Sequence, residues 1–167
     1  MSDVKIAYGS SAALTITLAE LATSATLVAG QESTAIDNTS NLYQDYLLAG
    51  KITTGTSPTV SKTIEVWVYA STDDTPTYPD DATGTNGAME STTADIKSSS
   101  MALAASMTVS ATNDVTYWFG AISVASLFGG VMPKHFGVFV VHDTAVNLHA
   151  TGSNHAISVT PVYNTVT

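Results

Sequence analysis

His135, His142, His149 and His155 crowd the C-terminal third of the chain, with Asp143 beside the second of them. Imidazoles and a carboxylate are the donor set that zinc or nickel takes. The spacings match no compact metal motif, such as two histidines one turn apart on a helix. On a strand, His135 and His142 face opposite sides, because successive side chains alternate. Hydrogen-bonded or solvated rings are therefore expected here, and no metal ligand is assigned.

Carboxylates offer a second possibility. Asp73-Asp74 and Asp80-Asp81 flank a Thr-Pro-Thr-Tyr-Pro run. Calcium takes six to eight oxygen ligands and suits such a cluster, but the glycine and terminal glutamate of an EF-hand loop are missing. A solvated acidic loop is expected. Glycoside hydrolysis needs two carboxylates at a set separation, and nothing singles out a pair. Nucleophile elbow, Walker loop and dinucleotide fingerprint are all missing from the sequence. No catalytic, cofactor-binding or metal residue is assigned, no cofactor is expected, and the chain is not expected to be an enzyme. Trp67, Tyr69, Tyr43 and Tyr46 could serve as stacking platforms for sugars, with the acidic loop holding calcium. A carbohydrate-binding module is the alternative reading.

The elements that would carry these residues are strands. Residues 136–141 are almost wholly apolar, too short for a capped helix, and rich in β-branched and aromatic side chains, which predicts a buried strand. Residues 156–163 alternate, and Pro161 cannot donate a ladder hydrogen bond, which predicts a half-covered strand near a sheet edge. Residues 62–70 give the strongest alternation. Ile64, Val66, Val68 and Ala70 point to the core, and Glu65, Trp67 and Tyr69 to a half-covered or contact surface. Further strands are predicted over 13–18, 26–36 (broken by a turn), 43–53, 101–109 and 115–124. Residues 18–25 and the 101–109 run also tolerate a helix, and strand is preferred for the latter. Residues 37–41, Asp-Asn-Thr-Ser-Asn, are a dense turn signal. Residues 71–100 are rich in Asp, Thr, Ser, Gly and Pro and predict a long variable loop, peripheral to the core. Seven or eight strands without repeated helices predict one all-β domain over 1–167, an antiparallel sandwich of the jelly-roll or immunoglobulin-like kind.

Composition narrows the partners. The chain has 167 residues, 14 acidic against 5 basic, all lysine, for a net charge of −9. Without arginine, and this acidic, it is a poor match for phosphates, so no nucleic acid is expected. No apolar run approaches the ~20 residues that span a bilayer, so no membrane is expected either. Residues 1–5 show no basic stretch leading into an apolar core, and no secretory signal is expected. Accordingly the Asn38-Thr39-Ser40 glycosylation pattern carries no weight. Cysteine is absent, which suits assembly in a reducing cytoplasm.

One order of motifs is distinctive. Ile36-Asp37-Asn38-Thr39-Ser40-Asn41-Leu42-Tyr43-Gln44-Asp45-Tyr46 precedes Ile64-Glu65-Val66-Trp67-Val68-Tyr69-Ala70-Ser71-Thr72-Asp73-Asp74. Pro133-Lys134-His135-Phe136 and Ala150-Thr151-Gly152-Ser153-Asn154 follow. From about residue 30 to 163 this resembles small β-sandwich structural proteins of tailed bacteriophage virions, decoration proteins and head or tail accessories. The chain differs from that pattern in Asp74, where glycine is more usual, and Asp143, where asparagine is. The resemblance implies a capsid decoration protein on the virion, assembled in the host cytoplasm, with the major capsid protein or another virion protein as partner. It brings no catalytic residues.

Assembly is expected on separate grounds. Charged residues are 11% and hydrophobic ones 44%, and Trp67 and Tyr69 lie on the polar side of their strand. Such apolar surface usually marks contacts between proteins. A homo-oligomer is expected, and the resemblance favours a trimer.

Overall fold

The computed structural model describes residues 3–166. In chain order it has β1 (Val4–Tyr8), β2 (Ala12–Ala13), β3 (Ala29–Glu32), β4 (Ile36–Asp37), β5 (Asp45–Thr53), β6 (Thr63–Ser71) and β7 (Gly87–Glu90). Then come α1 (Ala94–Ser100), β8 (Ala102–Thr108), β9 (Thr116–Ser123), α2 (Val124–Leu127), β10 (His135–His142) and β11 (Ala156–Val166).

The pairings are nested. β1 pairs with β11, β3 with β10, β5 with β9 and β6 with β8, all antiparallel. An eight-stranded ribbon paired in this way and rolled over itself gives two facing sheets. The first runs β1-β11-β5-β9, with β2 added on β11; the second runs β7-β3-β10-β6-β8, with β4 added on β10. This is the jelly-roll winding, one of the two sandwich types anticipated. The core lies between the sheets. Ile64, Val66 and Val68 of β6 meet Phe136, Val138 and Val140 of β10, and from the first sheet Tyr46, Leu48, Ile52, Ile157 and Val159 close on them. Every residue of β10 is buried, as its apolar run requires.

Four expectations change. β11 is an interior strand between β1 and β5. Pro161 is tolerated because β2 pairs with 158–159 and β1 with 162–166, leaving the proline at the break between them. There its carbonyl accepts from the Gly9 N–H at 2.9 Å. Over 13–18, Leu14 and Leu18 are buried as the alternation requires, but only Ala12–Ala13 pair in a ladder. Beyond them the chain crosses from one sheet to the other, with Leu14 N–H on the Ile157 carbonyl at 2.8 Å and the Thr15 carbonyl accepting from Thr34 N–H at 2.9 Å. The 101–109 stretch is a strand, as preferred, but the register shifts between Val66 and Trp67, and Leu103 turns outward.

The fourth change concerns residues 71–100. They contain β7, which extends the second sheet, and α1, capped at its start by the Thr93 hydroxyl on Ile96 N–H. Together they cover the outer face of the second sheet. Trp67, Tyr69, Met89, Met101, Phe139 and Val141 form a second apolar layer there, with Leu27, Tyr78 and Ala82 packed on it. Tyr69 lies over Gly137, whose missing side chain makes room for the ring. The excursion is therefore part of the core and not a peripheral loop, and Trp67 and Tyr69 are not contact surface.

Candidate functional site

His142, His149 and His155 lie near one another, His155 bonding the His149 carbonyl, while His135 stands at the far end of β10. His142 is fully buried at the end of β10. Its Nε2 lies 3.0 Å from the Leu21 carbonyl and its Nδ1 3.0 Å from the Thr144 hydroxyl. A carbonyl only accepts, so Nε2 carries the proton. His155 is built alike: Nε2 lies 2.8 Å from the His149 carbonyl, and Nδ1 accepts from Thr53 N–H at 3.3 Å. Burial, outweighing these bonds, holds both rings below their ordinary value. His149 accepts from Thr151 N–H at 3.0 Å. His135, on the opposite face of β10 from His142, has Nδ1 3.8 Å from Asp37 Oδ1, and its buried Nε2 has no hydrogen-bond partner. Asp143 accepts from Thr63 N–H at 2.6 Å and from Lys62 Nζ at 3.1 Å, joining the end of β10 to the start of β6. Among the described residues no group of three or more His, Asp or Glu could hold a metal ion.

Nor do the loop carboxylates converge. Asp74 pairs with Lys134 at 2.6 Å, and that lysine holds its carboxyl below the usual range. Asp80 turns the other way and accepts from the Ser91 hydroxyl, from Thr92 N–H at 3.0 Å and from the Thr92 hydroxyl at 2.7 Å. Partial burial raises its pKa, these donors outweigh that, and the net shift is downward.

Two charged side chains that sequence reasoning passed over prove to be the pegs of the excursion. Glu32, 1% exposed on β3, accepts from the Tyr69 hydroxyl at 2.9 Å, Thr83 N–H at 3.1 Å, the Thr83 hydroxyl at 2.6 Å and Gly84 N–H at 3.0 Å. A buried carboxylate is stable where donors replace its water. Lys97, 3% exposed on α1, donates to Glu65 Oε2 at 2.7 Å and to the Leu27 carbonyl at 2.6 Å, and its Nζ lies 4.7 Å from the centre of the Trp67 ring. Trp67 Nε1 donates to the same Glu65 oxygen at 2.8 Å. Nothing in the sequence marks either residue, since Glu and Lys are rarely this buried.

None of the four aromatics considered for sugar stacking presents a free ring. Trp67, Tyr69 and Tyr46 are buried. Tyr43, half-buried, packs on Tyr46 and Tyr163 at 5.6 Å between ring centres. Among the described residues two rings are accessible: Tyr8 of β1, 64% exposed, and Trp118 of β9, 72% exposed, with Lys51 Nζ 5.7 Å from the Trp118 ring centre. The signal for Trp118 was the alternation in Thr116-Tyr117-Trp118-Phe119, where Phe119 goes inward and Trp118 outward.

Trp118 belongs to a larger surface. Lys51 is opposite both Trp118 and Ala156 in register, so Trp118 shares the outer face of the first sheet with the even-numbered residues of β11. Opposite Val162, Asn164 and Val166 on that face stand Tyr8, Ile6 and Val4 of β1. Val4, Ile6, Tyr8, Val166 and Trp118 are all more than 60% exposed. Among the strand residues of this face only Asp45 and Lys51 carry charge. The second sheet has a covering layer and the first has none. A cavity of about 330 Å³ opens beside Leu14, Ile16, Leu18 and Ile157; both nitrogens of the histidine lining it, His155, are already engaged.

No protein-family model matches this chain, no curated protein matches it, and no solved structure matches it, so the fold and these surfaces stand on their own geometry.

Proposed function

We propose that this chain is a non-enzymatic structural protein of a bacteriophage virion, a capsid decoration protein that binds the major capsid protein or another virion protein. The observation that carries the reading is the uncovered, nearly uncharged outer face of the first sheet. Exposed apolar patches of this kind mark protein contacts. The buried polar side chains support it too, because Glu32, Lys97 and His142 are spent on holding the fold. Jelly-roll winding is common in viral capsid proteins, but also in lectins, so fold alone does not choose between them. Mass spectrometry of purified particles tests the proposal. The chain is expected in a fixed ratio to the major capsid protein, and particles without it would overturn the reading.

A carbohydrate-binding module is the second reading, and Trp118 is what favours it. An exposed indole beside Lys51, with Ser158 nearby, offers a sugar a stacking face and polar neighbours. Titration against a glycan panel, with Trp118→Ala as control, separates the two. Binding that Trp118→Ala abolishes would replace the virion reading.

A further inference from the structure

We infer that the outer face of the first sheet closes against the same face of a second copy of this chain. The inference deepens the virion reading, since it uses the same face and names what covers it. Three observations carry it.

The first is charge. At −9, two copies repel through most of their surfaces. Asp73, Asp74, Asp80, Asp81, Glu90 and Asp95 all lie on the excursion over the second sheet. On the first sheet's outer face the strands carry one lysine and one aspartate, so this face is locally neutral. Two copies meeting there turn their acidic layers away from each other.

Secondly, the two charges have the right order. Asp45 and Lys51 occupy opposite ends of the same face of β5. A two-fold axis lying across the strands at the level of Leu48 sets Lys51 of one copy against Asp45 of the other. An axis along the strands would set lysine against lysine. Asp45 Oδ1 already accepts from Ala125 N–H and Tyr46 N–H, both at 2.8 Å, and its Oδ2 is in neither bond.

The third observation is size. β11 has 11 residues, flanked by β5 over 156–162 and by β1 over 162–166, so the face is a stepped patch about 36 Å long and two to three strands wide, on the order of 500 Å² per copy. A self-complementary contact of that size buries about 1,000 Å² in total, about the least that a specific interface needs. Sheets pack face to face in this manner within sandwiches. Residues 163–166 of β11 have β1 as their ladder partner and lie beyond the β5 register, and isolated two-stranded ribbons are marginal in water.

Light scattering and sedimentation at micromolar concentration in ~0.15 M salt test the inference, because screening there leaves short-range contacts. The wild-type chain is expected at twice 17.3 kDa. Ile6→Glu and Trp118→Glu should each weaken association about tenfold or more, while the dilute proteins keep the wild-type melting temperature because both side chains are exposed. A wild-type chain at 17.3 kDa throughout, or an oligomer that neither substitution loosens, overturns the inference. Either result leaves the virion reading to the particle spectrum. Protection of Trp118 on particles by a chain that stays monomeric when free would make another virion protein the occupant, and would overturn the inference also.

Discussion

Replacing Glu32 by alanine isolates what holds the excursion down. The carboxylate is the common acceptor for the Tyr69 hydroxyl and for the Thr83 and Gly84 donors, which come from the sheet and the excursion respectively. Once it is removed, the Tyr69 hydroxyl can turn to the Ser33 carbonyl, already 3.0 Å away. Thr83 N–H and Gly84 N–H lose their acceptor. Each such donor costs about 1–3 kcal/mol where water cannot replace it. Thr83 is exposed and Gly84 half-buried, so water recovers part of this, and the expected loss is about 2–4 kcal/mol. For a chain of this length that is a fall of roughly 4–16 °C in Tm. Glu32→Gln should cost about 1 kcal/mol, because an amide nitrogen in the Oε1 position can donate to the Thr83 hydroxyl while Oε2 keeps Gly84 N–H. Urea unfolding followed by tryptophan fluorescence measures both variants, with Trp67 reporting the outer layer. A loss under about 0.5 kcal/mol for Glu32→Ala, near the background of surface substitutions, would refute the clamp.

Three further outcomes follow from the packing. Replacing residues 75–93 with a short Gly-Ser linker should cost several kcal/mol, since it strips three of the four donor groups from Glu32 and uncovers Trp67, Tyr69 and Phe139, at about 1.5–3 kcal/mol for each large side chain fully exposed; unchanged cooperative melting would contradict this. Val66→Asp should abolish folding, because Val66 is 0% exposed and an unpaired buried carboxylate costs several kcal/mol of a total near 5–15; a soluble, normally melting variant would mean the faces of β6 are reversed. Burial holds His142 below 6.5, so the unfolded chain binds its proton first. The stability it contributes is complete above about pH 6.5 and is lost as pH falls through the depressed folded value, by up to ~1.4 kcal/mol per unit. His155 has the same sign but is only half-buried and contributes less. A Tm that does not fall between about pH 7.5 and 5 would contradict both.

Legibility in the sequence followed locality. The buried run of β10 and the two faces of β6 could be read because apolar period and β-branching are written into consecutive residues. The turn after β4 was equally plain: Asp37 Oδ1 accepts from Thr39 N–H at 2.7 Å, and Asn38 bonds Tyr43 through both ends of its amide. What could not be read was pairing across the chain. β1 meets β11 at opposite ends of the sequence, and no local signal states that. Alternation marked Trp67, Tyr69 and Trp118 alike as standing opposite the core. Whether an outer face is covered depends on where a distant segment lies, and Tyr78 and Met89 stand as isolated apolar residues in a polar stretch until the fold brings them together with Leu27. The candidate site suffered most, because its residues come from β1, β9 and β11, and its defining property is the lack of a covering layer.

The chain has two tryptophans, one on each outer face. Hydroxyl-radical footprinting read by mass spectrometry therefore tests most directly the claim that this protein is capped on one face and works through the other. Dilute protein should show Trp118 oxidised rapidly and Trp67 protected beneath α1, with Trp118 becoming protected in the assembled state. Equal oxidation of the two in dilute protein would contradict the cap, and a Trp118 that stays reactive after assembly would contradict the working face.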